Sequence, residues 1–98
     1  MHAIVTKLTL AKPIDDALLR SVKEEVYPQM RDNPGFIDLH IVRVSDAEAI
    51  LLGFFRSRET LDEISSKIAG PWFAEHVRPY RAGPVQRSVG EVAWSSSG

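Results

Sequence analysis

Residues 49–56, AILLGFFR, are apolar on both sides of an extended chain: Ile50, Leu52 and Phe54 alternate with Leu51 and Phe55. Successive side chains of a strand point to opposite faces, so such a strand needs cover above and below. The whole chain has only 98 residues, room for one domain and a modest core. Helices from so short a chain cover one face of a sheet and leave the other bare. Leu51 and Phe55, or their opposites, would then meet water in a monomer, and an exposed apolar patch of that kind marks an interface. A homodimer joined through its sheet faces is the simplest resolution. The alternative is a loop or the C-terminal tail folded across the patch.

The remaining segments supply the partners of that strand. Residues 3–10 alternate, with Ile4, Leu8 and Leu10 on one side and Val5, Lys7 and Thr9 on the other, which predicts a strand. Pro13 suits a first helical turn, and Asp15 and Asp16 sit where the helix dipole favours negative charge. Ile14, Leu18, Val22, Val26 and Met30 recur every fourth residue and predict a helix to about Arg31, disturbed at Pro28. Residues 36–44 predict a second strand with Ile37, Leu39 and Ile41 on one face, joined to the third by a tight hairpin over Ser45–Glu48. Ser57 is the expected N-cap of a second helix, with Thr60 and Glu63 as a further capping box. Leu61, Ile64 and Ile68 mark its buried stripe, and Gly70 is expected to end it. Pro71 opens another helical piece, and residues 85–94 predict the last strand. The order βαββαβ implies an α+β, ferredoxin-like fold: a four-stranded antiparallel sheet with both helices on one face. One domain over residues 1–94 with a flexible tail at 95–98 follows.

Composition excludes more than it selects. Twelve Lys and Arg against thirteen Asp and Glu leave a formal charge of −1, without the basic footprint of a nucleic-acid binder. No apolar run is long enough to span a membrane and no leader is evident, so a cytoplasmic protein is expected. The absence of cysteine removes disulfides, thiolate nucleophiles and Cys-ligated metals. The glycines do not form a phosphate-binding loop, and the compact His-Glu-x-x-His pattern of a metal centre is missing. Neither a metal nor another cofactor is expected.

Three stretches resemble the antibiotic biosynthesis monooxygenase domain of the dimeric α/β-barrel superfamily. They are Val26-Tyr27-Pro28-Gln29-Met30-Arg31-Asp32-Asn33-Pro34-Gly35-Phe36, Gly53-Phe54-Phe55-Arg56-Ser57-Arg58-Glu59-Thr60-Leu61 and Gly70-Pro71-Trp72-Phe73. The resemblance spans residues 3–94. It implies a homodimer with facing sheets and a small apolar cavity in each protomer between helices and sheet. It further implies a cofactor-independent oxygenation of an aromatic or polyketide-like substrate by dioxygen, although other branches degrade haem, isomerise or dehalogenate. Phe55 stands where many members carry Trp, and Lys67 where many carry His. The first strand offers Thr6 and Lys7 where the haem-degrading branch has Asn, so haem degradation is not expected.

The candidate chemistry rests on few residues. Trp72, His76 and Tyr80 recur every four positions and would share one helical face. His76 is the candidate general base, because imidazole titrates near neutrality and cofactor-independent oxygenation begins with deprotonation of the substrate. Trp72, Tyr80 and Phe55 would wall the substrate site. The blander reading makes Trp72 and Tyr80 core aromatics and His76 a satisfied surface histidine. His40 lies beside Asp38 on the second strand, opposite the Leu39 and Ile41 face, and would reach a partner sheet or a cavity. Arg43 shares the face of Leu39 and Ile41, where it could bind an anionic substrate group. Two further functions stay open: a non-catalytic ligand-binding or structural dimer, and an isomerase of a small acid or lactone with Arg43 or Arg78 holding the carboxylate.

Overall fold

The computed structural model describes residues 1–97; Gly98, the last residue of the expected tail, lies outside the described residues. Strands β1 (His2–Thr9), β2 (Phe36–Ser45), β3 (Glu48–Phe55) and β4 (Gln86–Glu91) form one antiparallel sheet in the order β2-β3-β1-β4. Two helical arms cross one face. The first runs through α1 (Asp16–Ser21), a π turn (Val22–Val26) and α2 (Tyr27–Arg31). The second runs through α3 (Arg58–Ile64), a π turn (Ser65–Ala69), α4 (Gly70–His76) and a 3-10 turn (Arg78–Tyr80). This is the expected ferredoxin-like βαββαβ layout.

Both caps are side-chain acceptors. Asp15 Oδ1 accepts from the Leu18 amide at 3.0 Å, and Ser57 Oγ from the Thr60 amide at 3.1 Å. The first helix therefore starts after Pro13 rather than on it. Thr60 lies within α3, which Ser57 alone caps, so it does not form a second capping box.

Both arms carry the same irregularity. A π turn ends one residue before a dipeptide whose second member is proline: Tyr27–Pro28 in the first arm, Gly70–Pro71 in the second. Proline has no N–H and its ring crowds the preceding turn, so the ladder widens upstream of it instead of breaking. For this reason Gly70 does not end the second helix. Its amide bonds to the Ser65 carbonyl across the π turn, and a Cβ at this position would collide with that oxygen.

The sheet departs from the expected faces at one place. A bulge between Phe36 and Asp38 turns Ile37 outward, 40% exposed, while Phe36 takes the inward position. Beyond the bulge Leu39, Ile41 and Arg43 face the helices as predicted, and the two-residue turn Asp46–Ala47 closes the hairpin. β4 stops at Glu91, short of the predicted end at residue 94, and Trp94 is exposed.

Helices resolve the ambiguity of β3. Phe55 is 1% exposed beneath them, with Leu51 on the same side, so Ile50, Leu52 and Phe54 are the opposites that turn outward. They share the outer face with Val5, Val42 and Val44, which are 38%, 41% and 51% exposed. None of the described helices is long and apolar enough to cross a membrane.

Candidate functional site: a cavity beneath the second π turn

The core beneath the helices is unevenly filled. Under the first arm, Val22, Val26 and Met30 pack with Phe55, Leu61 and Ile64 into one buried cluster. Under the second π turn the side chains are small, and a cavity of about 220 Å³ opens. Ser65, Ala69 and Gly70 line it from above; Phe73, Ala74 and Val77 of the α4 segment form one wall. Its floor comes from the inward register of the sheet, where Ile4 faces Gly53 and Thr6 faces Leu51 on one side and Arg87 on the other. Gly53 keeps this floor low, because a Cβ there would lie 3.0 Å from Ile4 Cγ2 and 3.1 Å from Phe55 Cε2. Met30 and Phe55 close the deep end. The exposed lining residues, Ala74, Arg81 and Arg87, mark an opening between α4 and the β4 edge.

Of the residues singled out from the sequence, Phe55 lines this cavity; Trp72, His76, Tyr80, His40, Arg43 and Arg78 do not. Trp72 and His76 do share a helical face. Their rings stack with centroids 4.0 Å apart and planes 9° from parallel. His76 Nδ1 donates to the Trp72 carbonyl at 2.9 Å, and its Nε2 lies 3.4 Å from Glu25 Oε1. Trp72 Nε1 donates to the same carboxylate oxygen at 3.3 Å, so Glu25 ties the two arms together on their outer side.

Tyr80 has left that face, because the helix tightens to a 3-10 turn at Pro79. Its ring is buried and its hydroxyl donates to Asp15 Oδ1 at 2.7 Å. Asp15 is held below the ordinary carboxylate range, first by the Leu18 amide and then by that hydroxyl. The same bond, with some burial, raises the Tyr80 phenol above its ordinary value. Lys12 lies 4.5 Å above the Tyr80 ring. Arg43 donates to the Ile14 carbonyl at 2.9 Å, and His40 sits on the outer sheet face, 3.5 Å from Asp38 and edge-on to Phe54. No cluster of three metal-ligating side chains occurs among the described residues.

The cavity's polar residues, Thr6, Ser65, Arg81 and Arg87, were not among the candidates. Two carried a signal. Thr6 interrupts the inward series Ile4, Leu8 and Leu10, and Arg87 falls between Val85 and Val89 on the inward face of β4.

Solved structures match nearly the whole chain. The cofactor-independent oxygenase SnoaB from Streptomyces nogalater superposes with a TM-score of 0.72 at 12% identity, covering 99% of this chain and 97% of that one. The chain has the fold of the antibiotic biosynthesis monooxygenases. The ActVA-Orf6 monooxygenase of Streptomyces coelicolor, solved with the ligand nanaomycin D, gives 0.64 at 17% identity over 96% and 92% of the two chains. A candidate antibiotic biosynthesis monooxygenase from Caulobacter crescentus gives 0.72 at 16% over 95% and 90%. No family model matches the sequence, and neither does any curated protein.

Proposed function

We propose that the cavity binds one small aromatic or polyketide-like molecule and that the chain oxygenates it with dioxygen as a cofactor-independent monooxygenase. The supporting observation is the cavity itself, about 220 Å³ and apolar except at a few points. An apolar cavity of roughly 150 Å³ takes up benzene. This one has room for two fused rings, with a third extending through the opening. Without a cofactor the substrate must supply the electrons. Loss of a proton gives a carbanion-like donor, one electron passes to dioxygen, and recombination forms a C–O bond. Loss of water from the resulting hydroperoxide leaves a carbonyl, so an anthrone and dioxygen become an anthraquinone and water. The apolar walls limit the access of bulk water to the reactive pair.

Oxygen uptake with an anthrone-type substrate tests this reading. Saturable uptake at one dioxygen per quinone formed is expected. Binding without uptake would favour the second reading, a non-catalytic ligand-binding dimer. That reading draws support from the lining, which contains no Asp, Glu or His among the described residues to take the proton. In either case we propose that two copies pair through the outer sheet face carrying Val5, Val42 and Val44. Light scattering should return twice the 10.9 kDa chain mass; a value near the single mass would overturn the pairing.

A further inference from the structure

Two arginines stand at the opening of a largely apolar cavity, and among the described residues neither has a side-chain hydrogen bond or an ion pair. Of the other six arginines, Arg43 bonds the Ile14 carbonyl, Arg56 the Pro34 carbonyl and Arg58 the Asp62 carboxylate, and Arg31 lies over the Tyr27 ring; Arg20 and Arg78 have no such partner among the described residues. Arg81 is held by its backbone. It bridges to Leu10, while the flanking residues bond to β1 and its extension through Ala82 to Thr9 at 2.8 Å and Ala11 to Tyr80 at 2.7 Å. Arg87 sits in the β4 ladder directly opposite Thr6. Both side chains therefore start from hydrogen-bonded main chain and line the same cavity.

Two more polar residues line the cavity, Ser65 above it and Thr6 on the floor beside Arg87. Thr6 is 7% exposed and lines the cavity from the sheet floor, where its hydroxyl can donate to a bound ligand. Guanidinium remains charged at every accessible pH and matches the geometry of a planar carboxylate.

We infer that the cavity is built for an aromatic carboxylate, with the rings between Phe73 and Phe55 and the carboxylate at the rim between Arg81, Arg87 and the Thr6 hydroxyl. This rests on the cavity being a ligand site, and it adds the ligand's charge. The geometry favours a monoanion of one or two rings over a neutral hydrocarbon, and the two arginines supply the recognition that an apolar pocket lacks.

Calorimetric titration with 2-naphthoate and its neutral counterpart 2-naphthamide tests the inference at low salt. Naphthoate should bind about tenfold more tightly, and the gap should narrow as salt rises. Arg87→Gln and Arg81→Gln should each erase most of that preference while leaving naphthamide affinity within about twofold. Thr6→Val should weaken naphthoate by removing a donor while leaving naphthamide affinity within about twofold. Equal affinity for the two ligands, or a preference that survives both arginine substitutions, overturns the anion assignment and leaves the cavity reading standing. Failure of both ligands to bind overturns the cavity reading with it.

Discussion

The two helical arms use one backbone device to opposite ends. Each places a π turn just ahead of a proline-containing dipeptide, so each presents one widened turn to the sheet. In the first arm that turn carries Val22 and Val26, both buried, with Met30 one turn on, and the space below is filled. In the second it carries Ser65, Lys67, Ile68 and Ala69, none fully buried, followed by Gly70. The backbone decides where a turn widens; side-chain volume decides whether the widening becomes core or cavity.

The largest effect should come from the filled arm. Met30→Ala removes a side chain that is 1% exposed and should cost about 2–5 kcal/mol, read by denaturant unfolding. A loss under about 1 kcal/mol would mean that the first arm is packed as loosely as the second. Gly70→Ala comes next. In an ordinary helix this change stabilises by about 1 kcal/mol. Here the new Cβ meets the Ser65 carbonyl, so a cost of about 1–3 kcal/mol and weaker ligand binding are expected. A gain in stability would show that the π turn closes without penalty.

Ala69→Leu should separate stability from binding. Adding volume above the cavity should change unfolding by less than about 1.5 kcal/mol and lower naphthoate affinity by about tenfold or more. Unchanged affinity would put the ligand elsewhere.

The polar ties between the arms should have smaller effects. The carboxyl of Asp15 is depressed in the fold, so its contribution to stability is present above its ordinary value of 3.8 and lost as the pH falls below that. The Tyr80 phenol is raised, so its contribution is present below 10.0 and lost as the pH climbs beyond. Tyr80→Phe should therefore flatten the pH dependence of the melting temperature at both ends, and an unchanged profile would deny the coupling. His76→Gln should matter least, by less than about 1 kcal/mol, since the pair with Glu25 is partly exposed. Oxygen uptake equal to that of the parent chain would remove His76 from the reaction. A lower rate with binding intact would show that its tie to Trp72 and Glu25 positions α4 over the cavity.

Much of the fold could be read along the chain because its signals are local. The Ser57 cap, the tight hairpin turn and the alternation in β1 each depend on a few neighbouring residues, whereas the Asp15 cap was hidden by Pro13, which suits a first helical turn. The errors arose where a local rule met a longer-range demand. Gly70–Pro71 reads as a stop, but packing on the sheet carries the helix through it as a π turn. Ile37 reads as inward, but the bulge beside Phe36 turns it out. The candidate site was less legible. The four-residue spacing of Trp72, His76 and Tyr80 puts the first two together and loses the third, because Pro79 changes the pitch.

The sequence by itself determined the order of elements, the antiparallel sheet with helices on one face, and a strand with too much apolar surface for one layer of helices to cover. These follow from periodicity and capping, which operate within a turn or a pair of strands. Only the tertiary structure decided that the unfilled volume lies beneath Ser65, Ala69 and Gly70, and that its polar lining residues are Thr6, Ser65, Arg81 and Arg87. A cavity is what remains when distant segments meet, so no single stretch of chain encodes it.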